Sequence, residues 1–350
     1  MARILYGLAG EGGGHAARAK EIIRHCESRG HRVLACSSAT GYERLRGAVD
    51  LFRISGLRLA YEHNSVQYVR TVLRNIRAVP GLARSLDHLT RVIRRFRPEL
   101  VCTDFEPLTA LVARAHGLPI ISIDNQHQLT RTAIRPLLRD RRDALTASAA
   151  TRLMLPRCDA YVVTDFTNAR PTAPRTHIIP PILRREALRL RPTPGRHLLI
   201  YLTTAHTEIL SILRTMRIPT IVYGLPITRA RQDGHILEKP ISGAGFLRDL
   251  ASCRAVVANA GFSLVTEALH LGKPYCAIPV QHQFEQLWNA TLIARKGYGM
   301  RCDTVTVRKL QTFLERLPQY TRALRAYPHH DNRTAFATID ALIAAHTHAV

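Results

Sequence analysis

Short apolar runs alternate with helix-patterned stretches in both halves of this 350-residue chain, and that alternation restricts the fold more than any other feature. An apolar strand followed by an amphipathic helix returns to lie parallel beside itself, so the pattern builds open parallel sheets covered by helices. In the first half the strand candidates are Arg3 to Leu8, Arg32 to Cys36, Leu100 to Thr103, Ile120 to Ile123 and Ala160 to Val163. Between the first two, Ala16, Ala19, Ile22, Ile23 and Cys26 recur at helical spacing, and Gly30 stands where a helix ends. The stretch IIPPILRREALRLRPTPGRH, with four prolines, reads as a linker. Beyond it HLLIYLTT, IPTIVYG, AVVANAG and PYCAIP form a second strand series, and Phe336, Ile339, Leu342 and Ile343 restore helical spacing in the tail. The expected layout is an N-terminal α/β domain over 1–182, a linker over 183–196, a second α/β domain over 197–330 and a helix over 331–350.

Several classes of protein are disfavoured. No stretch approaches the roughly 20 apolar residues of a membrane-spanning helix, and glycine interrupts the N-terminus too early for a secretory signal, so a cytoplasmic chain is expected. The seven cysteines include no CxxC pair and no Cys/His cluster at metal spacing, which points to reduced, buried thiols. Charge is the unusual feature: 50 Lys and Arg against 26 Asp and Glu give a net +24, a field that favours nucleic acid, an acidic membrane surface or phosphorylated substrates. Arginine enrichment from genomic base composition accounts for it equally well.

The first motif is GLAGEGGGHAARAKEI, a glycine-rich turn between a strand and a helix, where backbone N–H groups and the positive helix end can approach an anion or a sugar. Gly12, Gly14 and Ala17 satisfy G-x-G-x-x-A, yet CSSATG stands at the end of the second strand where a dinucleotide fold carries its ribose-binding acid. Glu11 and His15 bracket the turn. Read plainly, Gly10 to Gly14, with Gly12, Gly13 and Gly14 among them, only make a tight bend and His15 caps or covers the helix start.

The second motif is VVANAGFSLVTEALHLGKPYCAIPVQHQFEQLWNA. A strand runs into Asn259-Ala260-Gly261, Ser263 opens a helix, and Gly272 ends it. The open helix start suits a diphosphate, and Glu267, one turn in on the face of Ser263, can take both hydroxyls of a ribose. Gln281, Gln283, Glu285 and Gln286 offer hydrogen bonds suited to a polyol. Taken singly, Glu267 reads as an exposed helix glutamate and QHQFEQ as a polar loop capping the next helix; together, in this order, they read as a nucleotide-sugar site.

This stretch resembles the donor-binding region of two-domain GT-B-fold glycosyltransferases. It is similar to the family 28 lipid-intermediate N-acetylglucosaminyl transferases of peptidoglycan synthesis, and closer still to an uncharacterised bacterial and archaeal transferase family related to them. ILYGLAGEGGGHAAR, TDFEPL, SIDNQH and PPILR extend the resemblance over most of the chain. It implies two Rossmann-like domains facing a cleft, with the C-terminal helix returning to the first. It also implies that Glu267 holds the donor ribose, that Gly261, Phe262 and Ser263 approach the diphosphate, and that Glu285 and Gln286 contact the donor sugar. His15 corresponds to the histidine that closes the glycine loop. The chain departs from the usual GHATR by Ala17, and His282 stands where the closer relatives often carry glycine.

The implied reaction is inverting transfer of a hexosyl or N-acetylhexosaminyl group from a UDP-sugar to a hydroxyl of a glycan or lipid-linked acceptor. No Asp-x-Asp occurs, so the helix start at Ser263 would stabilise the leaving diphosphate in place of a metal ion, and no cofactor is expected beyond the donor. Candidates for the base are His15, then Glu11 and Asp104, with Glu106, Asp124 and His127 also at the ends of first-domain strands; Asp124 and His127 read equally well as loop braces. Leu82, Leu86, Leu89, Ile93 and Phe96 form one face of LARSLDHLTRVIRRFR, and LTRTAIRPLLRDRRDALTASAATRLMLPR mixes arginine with leucine. Such faces either rest on anionic lipid, placing the enzyme at the inner membrane face, or pack on the sheet. Two other classes stay open: a nucleotide-sugar epimerase of the same fold, and a nucleic-acid binder or nucleic-acid glycosyltransferase. Recognition motifs and an aromatic stacking series are missing for the last, with aromatic content at 6%.

Overall fold

The computed structural model describes residues 1–56, 61–62, 65–66, 78–155, 157–202 and 206–347. In chain order its strands are β1 (Arg3–Leu8), β2 (Arg32–Ser37), β3 (Leu51–Arg53), β4 (Tyr61–Glu62), β5 (Ser65–Val66), β6 (Leu100–Asp104), β7 (Ile120–Asp124), β8 (Ala160–Thr164) and β9 (Thr176–Ile179). The second half adds β10 (Leu198–Tyr201), β11 (Thr220–Tyr223), β12 (Arg231–Asp233), β13 (Ile236–Glu238), β14 (Ala255–Ala258), β15 (Tyr275–Ala277) and β16 (Gly299–Arg301). They form two seven-stranded sheets, ordered β3-β2-β1-β6-β7-β8-β9 and β12-β13-β11-β10-β14-β15-β16, with β4 and β5 paired separately. The first is wholly parallel; in the second only β12 runs against its neighbour. The α/β class and the two facing sheets agree with the sequence reading.

Sheet order decides where a ligand can bind. From β1 the chain moves outward to β2 and β3 and then returns to the other side as β6, so the strand order reverses between β1 and β6. In the second sheet it reverses between β10 and β14. Loops diverge at such points and leave a crevice beyond the strand ends. The glycine loop follows β1, and Asn259-Ala260-Gly261 follows β14; each motif sits at the reversal of its own sheet.

The period-two pattern sorts the core. Ile4, Tyr6 and Leu8 of β1 join Ala16, Ala19, Ile22 and Ile23 of helix Gly13–Ser28, whereas Leu5 joins Val101, Leu89, Ile93 and Leu108 on the opposite face. Helix Arg333–Thr347 packs Ala335, Ile339, Leu342 and Ile343 into the first of these clusters. There His25 donates to Asp340 at 2.8 Å and stacks on Phe336 with ring centroids 4.2 Å apart. The leucine stripe of helix Val79–Phe96 belongs to the sheet: Leu89 and Ile93 are buried, and Leu82 and Leu86 pack beside them. That segment offers no apolar face to a membrane. All seven cysteines are reduced and buried.

The five first-half strands keep their expected starts and run to Leu8, Ser37, Asp104, Asp124 and Thr164. The last two residues of HLLIYLTT lie outside the described residues. Short pieces at or next to the sheet edges escape the pattern: β3, β12, β13 and β16 are three residues each, too few to show a period. Of the stretch read as a linker, Ile178 and Ile179 already belong to β9 in the first sheet, and Arg185–Leu188 form a one-turn helix. No helix among the described residues is long and apolar enough to cross a membrane.

Candidate functional site

Gly12 has φ +74 and sits immediately before helix Gly13–Ser28, a conformation that a side chain would strain. Gly14 is needed for a different reason. A Cβ there would lie 2.7 Å from Ser263 Oγ in the second domain, so the bare backbone lets the two reversal loops approach each other. His15 follows in the first helical turn, at the mouth of the cleft.

His15 does not stand alone. Its Nδ1 lies 2.7 Å from Asp104 Oδ1 at the end of β6. Arg18, buried one turn along the same helix, donates through Nε to Asp104 Oδ2 at 2.9 Å, through Nη2 to Oδ1 at 2.5 Å, and through Nη1 to Asn125 Oδ1 at 3.2 Å. Burial alone would raise the Asp104 carboxyl, but Arg18 and His15 together hold it below the ordinary carboxylate value. An ionised carboxylate has only lone pairs to offer, so Nδ1 carries the imidazole proton and donates it to Asp104. The Nε2 lone pair then faces the cleft, where the Gln126 amide nitrogen is 3.3 Å away. Glu11 is half-buried on the turn beside them.

Three further first-domain candidates have structural partners. Glu106 caps helix Pro107–Ala115, accepting from Leu108 N at 3.0 Å, Thr109 N at 2.7 Å and Thr109 Oγ1 at 2.7 Å. Burial pushes its carboxyl upward against those bonds. An acid directly before a proline at the first helical position is a cap signal, which the sequence reading did not weigh when it included Glu106 among the candidates. Asp124 accepts from His127 N at 2.8 Å, His127 Nδ1 at 2.7 Å and Ser122 Oγ at 2.5 Å. Despite burial, these partners bring the Asp124 carboxyl down to about 2. His127 is itself packed by Tyr161 and Phe105, so this pair braces the loop that carries Asn125 and Gln126.

Across the cleft, Gly261 precedes helix Phe262–His270, which has no side-chain cap and therefore presents its first N–H groups. Ser263 faces Gly14, as above. The Phe262 side chain is core: its ring meets Phe166 of the first domain at 5.9 Å, so only its backbone is placed to meet a diphosphate. Gln286 also departs from expectation. Its Oε1 accepts from Ala260 N and Val280 N, both at 3.1 Å, and its Nε2 donates to Gln283 Oε1 at 2.9 Å. Both glutamines shape the reversal loop, and Glu285 alone of the three reaches across the cleft, accepting from Gln126 Nε2 at 3.0 Å. His282 adopts φ +60, which gives a physical reason for glycine at that place.

Glu267 is buried, where the bland reading had an exposed helix glutamate. Arg184 from the linker holds it in a bidentate pair, Nε to Oε1 and Nη2 to Oε2, both at 2.5 Å. Burial works against the Arg184 charge, and Glu267 more than restores it. Arg184 stands in the PPILR segment, whose prolines the sequence reading used while passing over the arginine.

The domains are joined on either side of the site. Arg301 of β16 pairs with Asp140 at 2.5 Å while Arg139 pairs with Asp303 at 2.7 Å, a reciprocal exchange of charge. His282 meets Asp143 at 3.1 Å. Leu129, Ala144 and Phe166 of the first domain enter the core cluster of the second.

Comparison with known proteins gives a consistent outcome. The family model for Glycosyl transferase family 1 matches residues 2–318. An uncharacterized glycosyltransferase of Methanosarcina mazei is 24% identical over 85% of this chain and 84% of its own length. Among solved structures, the calicheamicin glycosyltransferase CalG4 superposes with a TM-score of 0.71 at 16% identity, covering 100% of this chain and 99% of that one. Glycosyltransferase SsfS6 of Streptomyces sp. SF2575, complexed with thymidine diphosphate, gives 0.61 at 16% identity over 99% of this chain and 100% of that one.

Proposed function

The chain belongs to glycosyl transferase family 1, and from that membership we propose that it moves a sugar from a nucleoside diphosphate to an acceptor hydroxyl with inversion at the anomeric carbon. The observation that carries this reading is the His15–Asp104 pair, set beside Gly14 where the glycine loop faces Ser263 at the uncapped start of helix Phe262–His270. The acceptor O–H gives its proton to His15 Nε2 as its oxygen bonds to the anomeric carbon. The bond from that carbon to the diphosphate oxygen breaks on the far side, which inverts the centre. Asp104 steadies the imidazolium as it forms, and the helix N–H groups and dipole receive the diphosphate charge, so the step proceeds without a divalent cation. Glu267, oriented by Arg184, takes the ribose hydroxyls, and Glu285 a hydroxyl of the donor sugar.

Uridine diphosphate is the first nucleotide to test and thymidine diphosphate the second. Calorimetric titration is expected to show one of them binding the wild type and at least about tenfold weaker binding to Glu267→Ala, the loss of a hydrogen bond to a charged group. Folded wild type that binds no nucleoside diphosphate would sink the reading.

A lipid-linked acceptor at an anionic membrane is favoured by the outer face around helix Arg141–Met154. Leu138, Leu145 and Leu153 are 77%, 73% and 83% exposed, among the exposed arginines Arg139, Arg141, Arg142 and Arg152. Apolar side chains ringed by cations suit a bilayer carrying negative headgroups. Vesicles rich in phosphatidylglycerol are expected to retain the protein on flotation, phosphatidylcholine vesicles not, and the Leu145→Asp, Leu153→Asp double variant neither. Equal flotation of the double variant would show that this face is not the membrane contact, and wild type that does not float would assign the acceptor to solution.

A further inference from the structure

Gln126 spans the cleft, and neither the glycine-loop nor the donor motif contains it. It lies in the loop after β7, is 9% exposed, and is steadied by the Asp124–His127 brace beside it. Its amide nitrogen donates to Glu285 Oε2 at 3.0 Å and stands 3.3 Å from His15 Nε2. Its carbonyl oxygen is buried with no hydrogen-bond partner among the described residues. The orientation of this carboxamide follows from its neighbours. Reversed, the oxygen would face the Glu285 carboxylate and the imidazole lone pair together, and both contacts would repel; an NH2 group has one hydrogen for each.

With the His15 Nδ1 proton committed to Asp104, the ring has one in-plane lone pair left, at Nε2. The Gln126 amide occupies it, so an acceptor hydroxyl reaches the base only after that amide has moved. The other hydrogen of the same amide is tied to Glu285, the carboxylate assigned above to the donor sugar. A sugar hydroxyl arriving there competes for Glu285 and also brings the donor that Gln126 Oε1 lacks.

We propose that Gln126 is a positioning residue that couples the two substrates: in the empty cleft its amide bridges His15 and Glu285 and masks the base, and donor binding at Glu285 releases it. The enzyme then engages its acceptor after the donor sugar is in place. This rests on the transferase reading for the identity of the ligands, while the masking itself is a property of the unliganded protein.

Two measurements test it. Carbethoxylation of His15 by diethylpyrocarbonate, followed by peptide mass spectrometry with His282 as internal reference, reads access to the unprotonated ring nitrogen without any substrate. Gln126→Leu is expected to react about five- to tenfold faster than wild type, the equivalent of losing one ordinary hydrogen bond. Glu285→Ala, which cuts the other end of the bridge, is expected to do the same. Unchanged rates, or acceleration by the first variant alone, would overturn the coupling. The second measurement is acceptor-independent hydrolysis of the nucleotide sugar relative to transfer, which rises in Gln126→Leu if the amide also keeps the base from activating water, and an unchanged ratio counts against the proposal. Wild type that neither transfers nor hydrolyses any nucleotide sugar condemns the transferase reading, and the carbethoxylation rates still decide the masking.

Discussion

Replacing His15 by alanine is expected to lower kcat for sugar transfer by about a thousandfold, in the middle of the range for a positioned general base, with nucleotide affinity unchanged. The imidazole is held by first-domain groups, Asp104 and Gln126, so its loss leaves the nucleotide subsite intact and removes the group that takes the acceptor proton. Its Asp104 partner stays paired through Arg18, so the variant also keeps its fold. The readings are initial rates of nucleoside diphosphate release with acceptor, and calorimetric nucleotide binding. A loss of less than about tenfold would place the base elsewhere, with Glu11 the next residue to replace.

Asp104→Ala is expected to be the most destabilising single change in the site, costing about 3–5 kcal/mol, the range for stranding one partner of a buried ion pair. Arg18 is 4% exposed, and without Asp104 its guanidinium keeps only neutral partners, the Asn125 carbonyl at 3.2 Å and His15 Nδ1 at 3.3 Å. Urea unfolding at pH 7 measures the loss. Adding Arg18→Leu is expected to return much of the stability and none of the activity, because the second change removes the stranded charge but does not restore an orienting partner to His15. Double-variant stability no better than that of Asp104→Ala would show that the pair is not the source of the effect. The pH dependence follows from the direction of the shift. The folded-state carboxyl lies below its unfolded value of about 3.9, so its stabilisation is complete above that pH and is lost as pH falls toward the folded value. Asp124 adds a loss of the same sign down to about 2. The wild type should therefore shed stability below pH 4 more steeply than Asp104→Ala, which has one such group fewer.

What could be read from the sequence was set by locality. Ile4, Tyr6 and Leu8 alternate with Leu5 within one strand, and Ala16 to Cys26 repeat within one helix, so both periods are visible without any partner. The placement of both motifs at strand ends also follows, since each ends an apolar run and opens a helix, whereas the strand order that puts them at reversals comes from the sheets. Arg18, Gln126 and Arg184 were not legible because their meaning comes from residues 86, 159 and 83 positions away, at Asp104, Glu285 and Glu267. Glu106 shows the opposite failure. A cap three residues long was fully local, yet its place at a strand end gave it the look of a reactive group.

Helix Arg333–Thr347 has a consequence for how the molecule is made. Its Ile339 and Ile343 fill the same cluster as Ile4 and Ile22, so the face of the first domain stays open until the whole second domain has been translated. At ordinary elongation rates that delay is on the order of ten seconds, long enough for the second sheet to form first. The nascent first domain thus carries an uncovered apolar strip through much of its synthesis, and a ribosome that stalls between the two would leave a chain suited to capture by chaperones or by another copy of itself.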